Sequence, residues 1–114
     1  MGLTDQEIDE RNAKRDDCIL DTAYRIVETR GMSALTRETL AYEANLSPAS
    51  VSNFGRYRIS NGEHSREGYR TRVLRAVMDR AIEQGDIRML RIGLADGCLK
   101  ADGVPVRLRA SVGV

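Results

Sequence analysis

The run from Thr36 to Phe54, TRETLAYEANLSPASVSNF, constrains the fold more than any other part of the chain. Leu40, Ala41 and Ala44 fall on one face of a short helix. Asn45 stands where that helix would end, and Asn tolerates the left-handed backbone of a helix terminus. Ser47 is a good N-cap, and Pro48 suits the first helical position because it has no N–H to leave unpaired. The second helix then turns Val51 and Phe54 inward and Ala49, Ser50, Ser52 and Asn53 outward. Two short helices, a tight turn and a small residue at their contact, Ala41, make a helix-turn-helix pattern. In that pattern the second helix lies in a DNA major groove. Apolar spacing alone is equally served by any helical hairpin in a small core. The cap chemistry and the small polar outer face favour a DNA reader, because a merely solvated face more commonly carries long charged side chains.

The flanking segments divide around this unit. Thr4 to Glu7 reads T-D-Q-E, a capping-box pattern. From Asp5 to Lys14, however, only Ile8 and Ala13 are apolar, so residues 1–15 read as a polar arm, either a frayed helix or, slightly favoured, a disordered terminus. A helix is expected from about Asp16 to Arg30, with Ile19, Ala23, Ile26 and Val27 inward and Gly31 as its stop. Residues 16–64 form the expected helix-turn-helix core. Gly55 and Asn61-Gly62 are turn signals around Arg56, Tyr57 and Arg58, which predicts an exposed basic loop or short hairpin. A further helix is expected from Ser65 to about Gln84, carrying Tyr69, Val73, Val77 and Ala81 in one row and Leu74, Met78 and Ile82 beside it. Gly85-Asp86 breaks it, and a shorter helix follows over Ile87–Leu94. Residues 65–98 therefore read as a helical dimerisation region. In the tail, 99–114, the alternation Val104-Pro105-Val106-Arg107-Leu108 has the period of a strand, which Pro105 would confine to an edge. A disordered end is the alternative.

Composition agrees with helices. The chain has 114 residues, a single small domain's worth, and only 4% are aromatic, with no Trp. Its core must come from Leu, Ile, Val, Ala and Met, which suits an all-α bundle of about five helices. The net charge of +1 does not by itself announce a nucleic-acid partner. The distribution says more. The segment before Ile19 is acidic, whereas Arg56 to Arg75 is basic, and that basic run begins where phosphate contacts would be needed. Cys18 and Cys98 have no ligand-spaced companions and read as buried thiols of a reducing cytoplasm. Neither a signal peptide nor a membrane span stands out.

With these residues in place, a resemblance emerges. ILDTAYRIVETRG (19–31) followed by MSALTRETLAYEANLS (32–47) resembles the N-terminal DNA-binding domain of the TetR/AcrR repressors, and SREGYRTRVLRAVMDRAI (65–82) is similar to that family's fourth helix. The match covers roughly half of the chain. Asn45 replaces the family's usual Gly, and the aromatic pair near the end of the recognition helix is missing. GRYRISNGEH (55–64) is inserted, and the residues after the fourth helix are too few for the family's ligand-binding domain. The resemblance implies a repressor without the small-molecule sensor.

These readings converge on a sequence-specific regulator of double-stranded DNA, a cytoplasmic homodimeric repressor open to control by a protein partner. Ser47, Ala49, Ser50, Ser52 and Asn53 would face the bases, with Asn53 suited to adenine. Arg37, Arg56, Tyr57 and Arg58 would contact phosphates. Val73, Val77, Met78, Ala81, Leu90 and Leu94 would form the dimer interface. The competing class is a protein–protein adaptor or antagonist on the same scaffold. No catalytic set is present: His64 is the sole histidine, and no metal, cofactor or nucleophile motif appears.

Overall fold

A computed structural model describes residues 4–55 and 68–114, and within them the chain forms six α-helices and no strand. The first, α1 (Asp5–Arg30), is one continuous helix. Its beginning overturns the expectation of a disordered arm. Thr4 accepts from the Glu7 N–H at 3.2 Å and donates to the Glu7 carboxylate at 3.1 Å. After that cap no Gly or Pro interrupts the chain before Gly31, and straight-chain residues predominate, so the helix propagates without an apolar face. Burial begins further along. Ile19, Ala23, Ile26 and Val27 are buried as their spacing predicts. Gly31, at φ 87°, ends the helix with its N–H on the Val27 carbonyl.

A 3₁₀ turn (Met32–Ala34) and buried Leu35 lead into α2 (Arg37–Ala44), capped by Thr36 accepting from Thr39 N–H at 3.1 Å. Leu40, Ala41 and Ala44 are buried. Asn45 takes the left-handed conformation (φ 56°, ψ 46°), the sole non-glycine among the described residues to do so, and Leu46 N–H closes the turn on the Ala41 carbonyl at 2.9 Å. Ser47 then caps α3 (Pro48–Ser52), whose Val51 is buried, and Phe54 follows it into the core. The helix-turn-helix geometry is therefore that expected from the cap residues.

The next helix, α4 (Tyr69–Gln84), ends at Gly85 in the left-handed region. The expected start at Ser65 and the loop carrying Arg56, Tyr57 and Arg58 lie outside the described residues. Asp86 caps α5 (Ile87–Asp96), accepting from Met89 N–H at 3.1 Å. Its other carboxylate oxygen accepts from the Tyr24 hydroxyl of α1 at 2.5 Å. The α4–α5 crossing is close. A Cβ on Gly93 would come within 2.2 Å of the Met78 sulfur, so this position has room only for glycine unless Met78 moves.

The tail is neither extended nor disordered. A 3₁₀ turn (Ala101–Gly103) precedes α6 (Val106–Val112), which packs on α5. Val104, Leu108 and Val112 fit a period of two and a period of four alike, so Val106 decides: it is 76% exposed, which excludes the strand period. Pro105 serves as the residue before the helix rather than as part of a strand. The Arg91 guanidinium on the Ser111 carbonyl (2.8 Å) and the Arg109 Nε on the Val104 carbonyl (2.9 Å) hold the tail in place.

A second correction concerns the surface assigned to dimerisation. Val73, Val77, Met78, Ala81 and Leu90 are buried inside the single chain, and Leu94 is half-buried against the same core. Helices α1 and α5 use up the broad apolar face of α4. Helices α4 and α5 are thus not a separate region, since they share one core with α1–α3.

Candidate nucleic-acid interface

The outer face of the α2–α3 unit is built as its sequence directs. Arg37, Ser47, Ala49 and Asn53 are exposed, and Ser50 and Ser52 are half-buried. Two of these side chains already have a local task. The Ser47 hydroxyl accepts from Ser50 N–H at 3.2 Å and lies 3.1 Å from the Ser50 hydroxyl. Asn53 is the residue that ends α3, its N–H on the Ala49 carbonyl, and its carboxamide is exposed. Arg37 forms only an exposed ion pair with Glu38 at 3.6 Å, a contact too wet to hold it.

A five-residue helix cannot fix its own orientation. Two buried charges on neighbouring helices do so for α3. On α4, the Arg72 side chain is 7% exposed; its Nε donates to the Phe54 carbonyl at 2.6 Å and its Nη2 to the Ser52 carbonyl at 2.8 Å. On α1, Asp16 is 3% exposed and accepts from Gly55 N–H at 3.0 Å. The backbone leaving α3 is therefore gripped by a cation on its carbonyls and an anion on its N–H. These carbonyls end a helix, where a positive charge is favoured. Gly55 completes the arrangement: its φ of 74° excludes most side chains, and a Cβ there would sit 3.7 Å from the Arg72 Cδ.

Arg70 acts similarly one step earlier. Its Nη1 donates to the Leu35 carbonyl, and its Nη2 to the Met32 carbonyl at 3.2 Å, tying the entrance of α2 to α4. Arg70 and Arg72 belong to the basic run read as phosphate-binding, yet both turn inward to backbone oxygens. Asp16 was legible as an acidic helix start; the structure places it mid-helix in the buried line with Ile19 and Ala23. A carboxylate on an otherwise apolar stripe is the signal that could have revealed it.

The remaining polar groups show little reactive chemistry. Cys18 is exposed rather than buried, and its thiol points at the Ala44 carbonyl, 3.7 Å away; Cys98 is half-buried, and both are free. Burial and the Asp96 carboxylate push the Cys98 thiol up to about 11, so it stays protonated at neutral pH. Cys98 borders a cleft of about 330 Å³ with Leu74, Met78 and Leu99 on its apolar side. Burial, and then the hydrogen bond to Asp86, push the Tyr24 phenol well above its usual range. Among the described residues no group of His, Cys, Asp and Glu side chains is arranged to hold a metal, and no helix is long and apolar enough to cross a membrane.

Comparison with known proteins finds no matching family model, no matching curated protein and no matching solved structure.

Proposed function

We propose that this chain is a DNA-binding transcriptional regulator that acts in the cytoplasm as a two-fold pair and inserts α3 into the major groove. The observation that carries the reading is the construction of α3: a Ser47-capped helix after a left-handed Asn45 turn, small and polar outside, and clamped from behind by Asp16 and Arg72. Rigid support of this kind is what an outer face needs if it is to meet a partner at a set angle. The resemblance to the TetR/AcrR repressors, carried by residues 19–47 and 65–82, points the same way.

The length of α3 argues for pairing. Five helical residues span about 7 Å, roughly two base-pair steps. Useful specificity then requires two copies on a pseudo-palindrome. An adaptor reading is favoured by one observation: Tyr42, on the outer face of α2 between Glu38 and Glu43, is 84% exposed. Selection of the full chain against a random duplex library separates the two. Recovery of a short inverted repeat supports the DNA reader. No enriched sequence, together with salt-independent recovery from heparin, overturns it.

A further inference from the structure

The free half of α1 carries an ordered stripe of charge. Glu7, Glu10, Arg11 and Lys14 follow the spacing i, i+3, i+4, i+7 and so share one face. All four are exposed, and together they line a shallow groove on the arm. None of them forms an ion pair with another described residue. Along the stripe the signs run minus, minus, plus, plus. Such a stripe is complementary to itself when turned end for end. About a two-fold axis between residues 10 and 11, Glu7 meets the partner's Lys14 and Glu10 meets the partner's Arg11. The neighbouring positions pair Gln6 with the partner's Arg15 and Asp9 with the partner's Asn12, so no like charges face each other over residues 6–15. In-register parallel pairing would instead set Glu7 on Glu7.

We propose that two copies of this chain associate through antiparallel pairing of their α1 arms along the Glu7–Lys14 stripe. Three further observations support a second copy as the occupant. Residues 4–11 are all exposed, so this end of α1 has no cover from the described part of its own chain. The apolar surfaces of α4 and α5 are already spent inside the monomer and cannot supply the contact. The acidic first turns of the arm would be repelled by DNA phosphate, which leaves the arm free for a protein partner. Ile8, 41% exposed, borders the stripe and adds apolar area. The inference supplies the pairing surface that the DNA reading requires and rests on that reading only for its purpose.

The test uses the full chain without DNA, in sedimentation equilibrium at low salt up to ~500 µM. The expected result is a monomer–dimer equilibrium in the range of tens to hundreds of micromolar, weakening as salt rises, since the interface is small and exposed. Glu7→Lys and Lys14→Glu should each lower association about tenfold, because each turns two attractions into repulsions. The double variant should recover to within about threefold of the original. It also places like charges four residues apart within each arm, so recovery cannot come from intrahelical pairing. Circular dichroism of each variant checks that the arm stays helical, and Glu7→Gln, which repels nothing, should show an intermediate loss. A chain that stays monomeric throughout, singles that associate as well as the original, or a double variant no better than the singles would each overturn the proposal. A dimer that ignores DNA upholds the arm and sinks the DNA reading; a monomer that reads DNA does the reverse.

Discussion

Removing the guanidinium of Arg72 is the sharpest test of how α3 is held. Arg72→Met keeps the aliphatic stem and deletes the head. Two carbonyls, of Ser52 and Phe54, then lose charged donors at 2.8 and 2.6 Å. Hydrogen bonds to a charged group contribute ~1.5–3 kcal/mol each, and an orphaned buried carbonyl carries a desolvation cost of similar size. The Ser52 contact is only partly buried, which lowers its share. The combined loss is therefore about 3–5 kcal/mol, a large fraction of the ~5–15 kcal/mol typical of a domain. Arg72→Lys keeps the charge but cannot reach both carbonyls in fork geometry, and should lose about 1–2 kcal/mol.

Urea unfolding of the three proteins, followed by helical circular dichroism, gives the stability. Amide hydrogen exchange at Asn53, Phe54 and Gly55 gives the local effect. The expected order is Arg72, then Lys, then Met, with exchange at these three amides rising more steeply than in α5. A Met variant within ~1 kcal/mol of the original, with unchanged exchange at residues 53–55, would refute the clamp outright.

The other expectations are read at single residues. Asn53→Ala should weaken binding to the selected sequence by ~1–3 kcal/mol and leave random duplex almost unaffected, measured by fluorescence anisotropy; equal losses would show that Asn53 does not read bases. Tyr24→Phe removes the hydroxyl from Asp86 and should cost about 1.5–3 kcal/mol at neutral pH. The folded protein raises the affinity of Tyr24 for its proton, so this contribution is complete below the ordinary phenol pKa of about 10 and drains as pH climbs past it. Unfolding free energies of the two proteins should therefore converge at alkaline pH, and a gap that stays constant would contradict the assignment. A thiol reagent at pH 8 should modify exposed Cys18 well before Cys98, whose thiol is held up at about 11, as peptide mapping of a time course would show.

Local signals carried most of the fold. The helix stops fall where the sequence placed them: Gly31 after α1, Asn45 after α2 and Gly85 after α4. The misreadings arose where one signal was ambiguous. At 104–108 two periods shared Val104 and Leu108, and only the exposure of Val106 resolves them. In the arm, the lack of an apolar face hid a helix that a good cap and uninterrupted propensity sustain. The assignment of α4 to a dimer failed for a different reason. An apolar face states that something covers it, and not whether the cover is α1 and α5 or another chain. Likewise Arg72 is indistinguishable in sequence from its neighbours Arg70 and Arg75, because nothing local encodes which backbone carbonyl a long side chain will reach.

This use of arginine bears directly on the salt dependence of DNA binding. The chain has 18 Lys and Arg residues, but many are committed to the fold. Arg70, Arg72, Arg91, Arg107 and Arg109 donate to backbone carbonyls. Arg80 pairs with Asp21, and Arg25 and Arg30 pair with Glu43. Of the cations assigned to phosphate, Arg37 donates to no backbone carbonyl of the described residues, and Arg56 and Arg58 lie outside them. Three phosphate contacts per copy give a slope of log affinity against log salt of about −3 for one half-site and about −5 for a pair, since each contact contributes about −0.9. Arg56→Ala with Arg58→Ala should flatten the half-site slope by about two, whereas Arg107→Ala, on α6, should leave it unchanged. The measurement is a titration of a half-site duplex by anisotropy at four salt concentrations. A slope near −8 for the half-site would mean that the inward arginines are not spent on the fold, and the assignment of Arg70 and Arg72 to backbone carbonyls would have to be abandoned.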